Sequence, residues 1–140
     1  MLLSDSDRQV VRDALEDVAN PVRILFFTQS IGCEGCEVTK QILDEVVPLN
    51  DRITVEEVNF VLDKDKVAQY GISRVPALVF EGTAAGRVRF YGAPAGYEFM
   101  SLVEAIAIAG SGKSGLSDAS RNLLGRVNEP IHIQVFTTPG

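Results

Sequence analysis

The sequence predicts an α/β fold in which one mixed four-stranded sheet is flanked by helices. Apolar runs with strand character alternate with segments of helical spacing over the first 110 residues, which is typical of strand–helix–strand units. The first two strands are far enough apart in sequence for a crossover helix and should be parallel neighbours. The last two are joined by a short turn and should be antiparallel. A chain of 140 residues with 46% apolar residues can bury one globular core.

A helix and a strand open the chain. Ser4 or Ser6 can cap the helix, because a capping partner lies three residues after each of them. Apolar residues then recur at helical spacing as far as Val18. The apolar, β-prone run that follows Pro21 predicts a buried strand over Val22–Thr28.

A second helix, a second strand and a short helix come next. From Glu37 onward the apolar residues again share one helical face, and Pro48 closes this helix. Residues 53–60 have the composition of a strand. Residues 63–70 fit a short helix that Gly71 can terminate.

Two strands and a long helix complete this unit. Residues 77–80 predict the third strand, residues 82–86 a turn and residues 87–91 the fourth strand. Residues 97–109 predict a helix with its apolar side turned inward, and Gly110 is expected to end it.

The chain after Gly110 repeats its own beginning. When the N-terminal segment is shifted by 109 positions, identical residues coincide at Leu15 and Leu124, Val18 and Val127, Pro21 and Pro130, Phe27 and Phe136, and Thr28 and Thr137. This predicts a first unit over residues 1–110, a Gly/Ser linker over 111–116, and the helix and first strand of a second unit over 117–140. Chance similarity between two helix–proline–strand segments is the alternative.

Composition and charge exclude several classes of function. The formal net charge is −6, and no cluster of Lys and Arg is present, which argues against nucleic acid as a partner. No apolar run approaches the roughly 18 residues of a membrane span. The first residues lack the basic start and long apolar stretch of a secretory signal, so a cytoplasmic location is expected.

The strongest motif is the pair Cys33 and Cys36, which are the only two cysteines. The pair lies where a buried strand ends and a helix begins. Unpaired N–H groups and the positive end of the dipole at a helix N-terminus stabilise a thiolate. We therefore predict dithiol–disulfide exchange in which Cys33 is the nucleophile and Cys36 resolves the mixed disulfide.

Three residues next to the cysteines should tune the reduction potential of the pair. Glu34 and Gly35 separate the cysteines, and Glu37 follows them. The two carboxylates disfavour the thiolate and make the pair less oxidising. A reduction potential of about −200 to −270 mV is expected.

Other functions for this motif remain open. A CxxC pair can supply half of a zinc site, but zinc takes four ligands and His132 is the only histidine, so such a site would need two chains. An inert motif in a non-catalytic interaction module is a further alternative. The redox interpretation requires no bound cofactor, because the cysteines carry the electrons. It does require a separate reductase, because no Gly-rich dinucleotide motif is present.

Val75 and Pro76 introduce the third strand. If their peptide bond is cis, it turns the Val75 backbone towards the cysteines, where a substrate peptide could pair with it. Most X–Pro bonds are trans, so the residues alone leave both forms open.

These residues together resemble the thioredoxin/glutaredoxin superfamily. The strand ILFFT, the motif Cys33-Glu34-Gly35-Cys36 and Val75-Pro76 carry the resemblance. Residues 91–99 are similar to the two-unit, glutaredoxin-like protein disulfide oxidoreductases of thermophilic archaea and bacteria. They are also similar to the N-terminal region of the flavoprotein component of alkyl hydroperoxide reductase. The first fold of that flavoprotein usually lacks a working cysteine pair, so the disulfide oxidoreductases are the closer match.

The resemblance implies a thioredoxin-like fold in which Pro76 is cis and near Cys33, and in which residues 92–99 shape the surroundings of the site. Disulfide-containing protein substrates and a separate reductase as electron donor are the partners that we expect from the proposed exchange reaction. An electron-relay domain of a peroxiredoxin-reducing system is the alternative. The strand in 117–140 would expose an apolar edge, which favours either a homo-oligomer or docking of this strand on its own first unit. Glu34-Gly35 departs from the residues familiar between the cysteines of these families, and Gly32 and Phe27 stand near the places of their aromatic residue and buried carboxylate.

Overall fold

The computed structural model describes residues 2–83 and 88–138, and it confirms the predicted α/β fold. Two single 3₁₀ turns, Val47–Leu49 and Gly96–Glu98, accompany the main elements. In chain order these elements are α1 (Asp5–Ala14), β1 (Val22–Thr28), α2 (Cys36–Val46), β2 (Ile53–Asn59), α3 (Lys64–Tyr70), β3 (Ala77–Glu81), β4 (Arg89–Tyr91), α4 (Phe99–Ser111) and α5 (Asp118–Leu124). The predicted turn over 82–86 and the predicted strand start at Arg87 fall partly outside the described residues.

The four strands form one sheet in the order β2-β1-β3-β4. β1 runs parallel to β2, with Thr28 opposite Asn59, and antiparallel to β3, with Phe27 opposite Ala77. β4 runs antiparallel to β3, with Tyr91 opposite Ala77. The predicted strand directions are therefore confirmed. The end of β1, the start of β3 and the end of β4 meet at one edge of the sheet.

The central strand β1 separates two apolar layers. Its side chains alternate, so that Ile24 and Phe26 face the layer that contains α1, α2 and α4. Leu25 and Phe27 face the smaller layer beneath α3. All four side chains are at most 1% exposed, which explains why this run lacks the polar alternation of a half-exposed strand.

The sequence offers Ser4 or Ser6 as the residue that caps the N-terminus of α1, and the structure shows which of them is used. Ser4, rather than Ser6, is the cap: its hydroxyl accepts from the Asp7 amide at 3.2 Å, and the Asp7 carboxylate accepts from the Ser4 amide at 3.1 Å. The helix ends at Ala14, earlier than the apolar spacing suggests. Val18 is nevertheless buried, because the chain after the helix stays packed on the core.

The predicted end of the last long helix is wrong. α4 begins at Phe99 after a 3₁₀ turn, continues through Gly110 to Ser111, and is terminated by Gly112 with φ +71°. Gly110 instead allows α4 to pack closely against the chain before β1. A Cβ atom there would lie 2.6 Å from Cγ1 of Val18, so the absence of a side chain lets α4 approach the segment before β1.

The C-terminal part of the chain follows the predicted repeat only in its helix. α5 forms and is capped by Ser117, whose hydroxyl accepts from the Ser120 amide at 3.1 Å. The predicted strand over residues 131–137 does not form, and Phe136 is 89% exposed. A strand needs a neighbour that supplies hydrogen bonds, and in the part of the chain that the structure describes no strand pairs with this segment. None of the described helices has both the length and the apolar character for crossing a membrane.

Candidate active site

The two cysteines form a disulfide at the edge where β1, β3 and β4 meet. Cys33 lies in the loop after β1, and Cys36 is the first residue of α2, with 5.5 Å between their Cα atoms. Cys36 is only 6% exposed, whereas Cys33 is partly accessible. An external sulfur therefore reaches Cys33 more readily than Cys36.

The segment between the cysteines is held from the helix side by Thr39. This side chain is fully buried, and its hydroxyl donates to the Gly35 carbonyl at 2.7 Å. The Thr39 amide donates to the same oxygen at 3.0 Å. Sequence reasoning missed Thr39, although its position three residues after Cys36 puts it on the next turn of the same helix.

Pro76 holds the same segment from the sheet side. The Val75–Pro76 peptide bond is cis, which is the geometry that the resemblance implies. A Cβ atom on Gly35 would lie 3.2 Å from Cγ of Pro76 and 3.3 Å from Cβ of Ala93. The Gly92 amide donates to the Pro76 carbonyl at 3.0 Å. Gly35, Pro76 and the start of residues 92–99 are thus brought together, and Gly35 has no room for a side chain unless its neighbours move.

The Val75 backbone lies at the same edge and is open to a partner. Pro76 is buried, but Val75 is only partly covered. Within residues 2–83 and 88–138, no backbone hydrogen bond to Val75 is present. Its N–H and C=O groups are therefore without a backbone partner within the described residues.

A polar groove of about 530 Å³ opens beside the disulfide. Its lining comes from the end of β1, the start of α2 and the neighbouring strand β2, and consists of Phe26, Thr28, Gln29, Ser30, Cys33, Cys36, Glu37, Lys40, Glu57, Asn59 and Asp63. Glu37 is thus part of the groove, whereas Glu34 is exposed beside it.

Lys40 and Glu57 form an ion pair within this groove that the sequence did not indicate. Lys40 lies one helical turn after Cys36 and also faces Asp44 at 3.8 Å. The hydrogen bond to Glu57 raises the pKa of Lys40 above its ordinary value, so this amine stays protonated beside the disulfide. Its spacing of four residues from Cys36 was the available sequence signal.

No group of three or more His, Cys, Asp or Glu side chains in the described residues is arranged to hold a metal ion. His132, the zinc ligand considered from sequence, lies in the exposed C-terminal segment.

The disulfide lies at the first turn of a helix, beside the loop of Pro76, and joins a partly accessible cysteine to a buried one. This arrangement defines a thiol–disulfide oxidoreductase. The family model described as thioredoxin domain matches residues 22–104, and the chain belongs to this family.

Archaeal relatives match the same region. A probable thioredoxin from Methanothermobacter thermautotrophicus is 37% identical over 83 residues, which cover 59% of this chain and 92% of the relative. A thioredoxin from Methanocaldococcus jannaschii is 36% identical over 86 residues, covering 61% of this chain and 92% of that protein.

Two solved structures share most of the fold. A protein disulfide oxidoreductase from Aeropyrum pernix superposes with a TM-score of 0.76 at 30% identity, covering 90% of this chain and 56% of the other. The alkylhydroperoxide reductase protein AhpF of Enterococcus faecalis gives a TM-score of 0.77 at 26% identity, covering 87% and 59%. This chain therefore spans less than two thirds of either of these two proteins.

Proposed function

We propose that this protein exchanges thiols and disulfides with protein substrates through Cys33 and Cys36. The Cys33 thiolate attacks one sulfur of a substrate disulfide, forms a mixed disulfide and releases the other substrate sulfur as a thiolate. Cys36 then loses its proton and attacks Cys33. The substrate leaves with both cysteines reduced, and the protein keeps the intramolecular disulfide. The observation that carries these roles is the difference in exposure between the two cysteine residues.

Protein substrates are favoured by the surroundings of the disulfide. The groove is open and polar, unlike the mostly apolar pockets that enclose small ligands. The free Val75 backbone offers both a donor and an acceptor to an extended peptide. We propose that Val75 and Pro76 form the loop that aligns the substrate chain with Cys33.

The disulfide must be reduced again after each turnover. We propose that a separate reductase supplies two electrons and two protons to Cys33 and Cys36, because the sequence carries no dinucleotide-binding motif. The similarity to an alkylhydroperoxide reductase protein favours a second candidate, in which this unit relays electrons within a peroxide-reducing system. A reducing compartment such as the cytoplasm suits either cycle, since the chain has no further cysteines to hold a structural disulfide.

The repeat at the chain end supports a larger architecture. We propose that residues 117–140 begin a second unit of the same kind. The superposition on the disulfide oxidoreductase covers 90% of the chain and so extends beyond the 110 residues of the first unit. In the absence of a second unit, the exposed apolar residues Ile131, Ile133 and Phe136 favour association between copies of the chain.

We expect the carboxylates near the cysteines to set the reduction potential. Glu34→Gln and Glu37→Gln should each make the potential less negative than that of the wild-type chain, because removing a negative charge stabilises the Cys33 thiolate and hence the reduced form. Titration against glutathione redox buffers measures the change. Glu16→Gln, in the exposed segment after α1, is the matched control and should leave the potential unaltered. Unchanged potentials in both test variants would contradict this tuning role.

Insulin-disulfide reduction tests the proposed function. With dithiothreitol as donor, the wild-type chain should accelerate precipitation of the insulin B chain above the dithiothreitol background. A chain alkylated at both cysteines should fall to that background. A wild-type rate equal to the background would contradict the proposed function and favour the interaction module.

A further inference from the structure

An exposed arginine stands next to the loop that we assign to substrate. Arg74 directly precedes Val75, and its guanidinium carbon lies 4.4 Å from the centroid of the Tyr91 ring. Tyr91 ends β4 and pairs with Ala77 at the start of β3. The ring therefore holds the guanidinium beside the end of β4 and the start of β3, and Arg74 is exposed.

The other charges near the cysteines have the opposite sign or are already paired. Glu34 and Glu37 flank the disulfide, and Asp63 lines the groove. Lys40, the cation of the groove, is paired with Glu57. Arg74 makes no ion pair with any carboxylate of the described residues, so its charge is available to a partner.

We propose that Arg74 is a specificity-determining residue that selects substrate disulfides with an Asp or Glu close to the reacting cysteine. This inference rests on the proposed function and names its substrate class. A peptide extended beside Val75 advances about 3.3 Å per residue. Arg74 directly precedes Val75, so side chains close to the substrate cysteine in sequence pass the guanidinium. A carboxylate there gains a charge-assisted hydrogen bond, whereas the acidic side of the site repels it. A substrate strand therefore meets a positive charge at Arg74 and negative charges on the acidic side of the site.

Peptide disulfides that differ in one residue test this assignment. Three peptides carry Glu, Gln or Lys at the same position, placed before the cysteine in one series and after it in another, and kcat/KM is measured for each. In at least one series, the wild-type chain should prefer Glu over Gln by about two- to fivefold at low salt, the range that an exposed ion pair supports. Arg74→Gln should bring this ratio to about one, and Arg74→Glu should favour the Lys peptide.

Two further comparisons separate a direct charge effect from a structural one. Tyr91→Phe keeps the ring and should keep the Glu preference, whereas Tyr91→Leu should reduce it. Arg52→Gln removes an exposed arginine at the opposite edge of the sheet and should leave every ratio unchanged. A Glu preference that survives in Arg74→Gln, or its absence from both wild-type series, would overturn the assignment. Failure of the neutral Gln peptide to react at all would instead count against the proposed function.

Discussion

Replacing Cys33 by serine should lower insulin-disulfide reduction to the dithiothreitol background. Cys33 is the more accessible cysteine and therefore the one that an incoming disulfide meets. A serine hydroxyl does not become an anion at neutral pH. Cys36→Ser should behave differently. It keeps the attacking thiolate but lacks the resolving thiol, so the reaction should stop at a mixed disulfide between Cys33 and the substrate.

Trapped complexes distinguish the two variants. Non-reducing electrophoresis and intact-mass measurement should show a covalent adduct with a peptide disulfide in Cys36→Ser and none in Cys33→Ser. Circular dichroism of both variants controls for loss of the fold. Adduct formation by Cys33→Ser alone would reverse the assigned roles of the two cysteines.

Gly110→Ala should destabilise the fold by about 1–3 kcal/mol, the usual cost of overpacking a core. Helix propensity alone predicts the opposite sign, because alanine is favoured over glycine inside a helix by about 1 kcal/mol. The close approach decides the outcome: the added methyl would lie 2.6 Å from Cγ1 of Val18 and 3.0 Å from Cγ2 of Val22. Both valines are buried and have little freedom to move.

Denaturant unfolding measures this change. Ser111→Ala, one residue further along the same helix, should leave the free energy of unfolding nearly unaltered or slightly raised. Val18→Ala makes room for the new methyl, so the double variant should lose less stability than the sum of the two single variants. A higher free energy of unfolding for Gly110→Ala would show that α4 does not depend on this contact.

Strand direction and the placement of the cysteine pair could be predicted because they depend on local signals. The run at Val22–Thr28 is apolar throughout, and the motif that begins at Cys33 sits at its end, so one pattern located both the central strand and the chemistry. The lengths of the connections between strands then indicated which neighbouring strands are parallel and which are antiparallel.

Features that depend on distant neighbours could not be predicted in this way. Gly110 has the local appearance of a helix stop, and only the proximity of Val18 reveals its packing role. The contact between Arg74 and Tyr91 joins residues that become neighbours through the pairing of β3 and β4. The segment over 131–137 has strand composition but forms no strand, because composition supplies no hydrogen-bonding partner.

The sequence separation of three between the disulfide-bonded cysteines has a consequence for the polymer chain itself. Closing a loop this short removes about 2 kcal/mol of conformational entropy from the unfolded chain, against about 4.7 kcal/mol for a loop of 100 residues. The disulfide therefore contributes little to the stability of the folded chain. When the disulfide is reduced, the two apolar layers around β1 still stabilise the fold. We expect the oxidised and reduced forms to share one architecture, so that the protein passes through its redox cycle without unfolding.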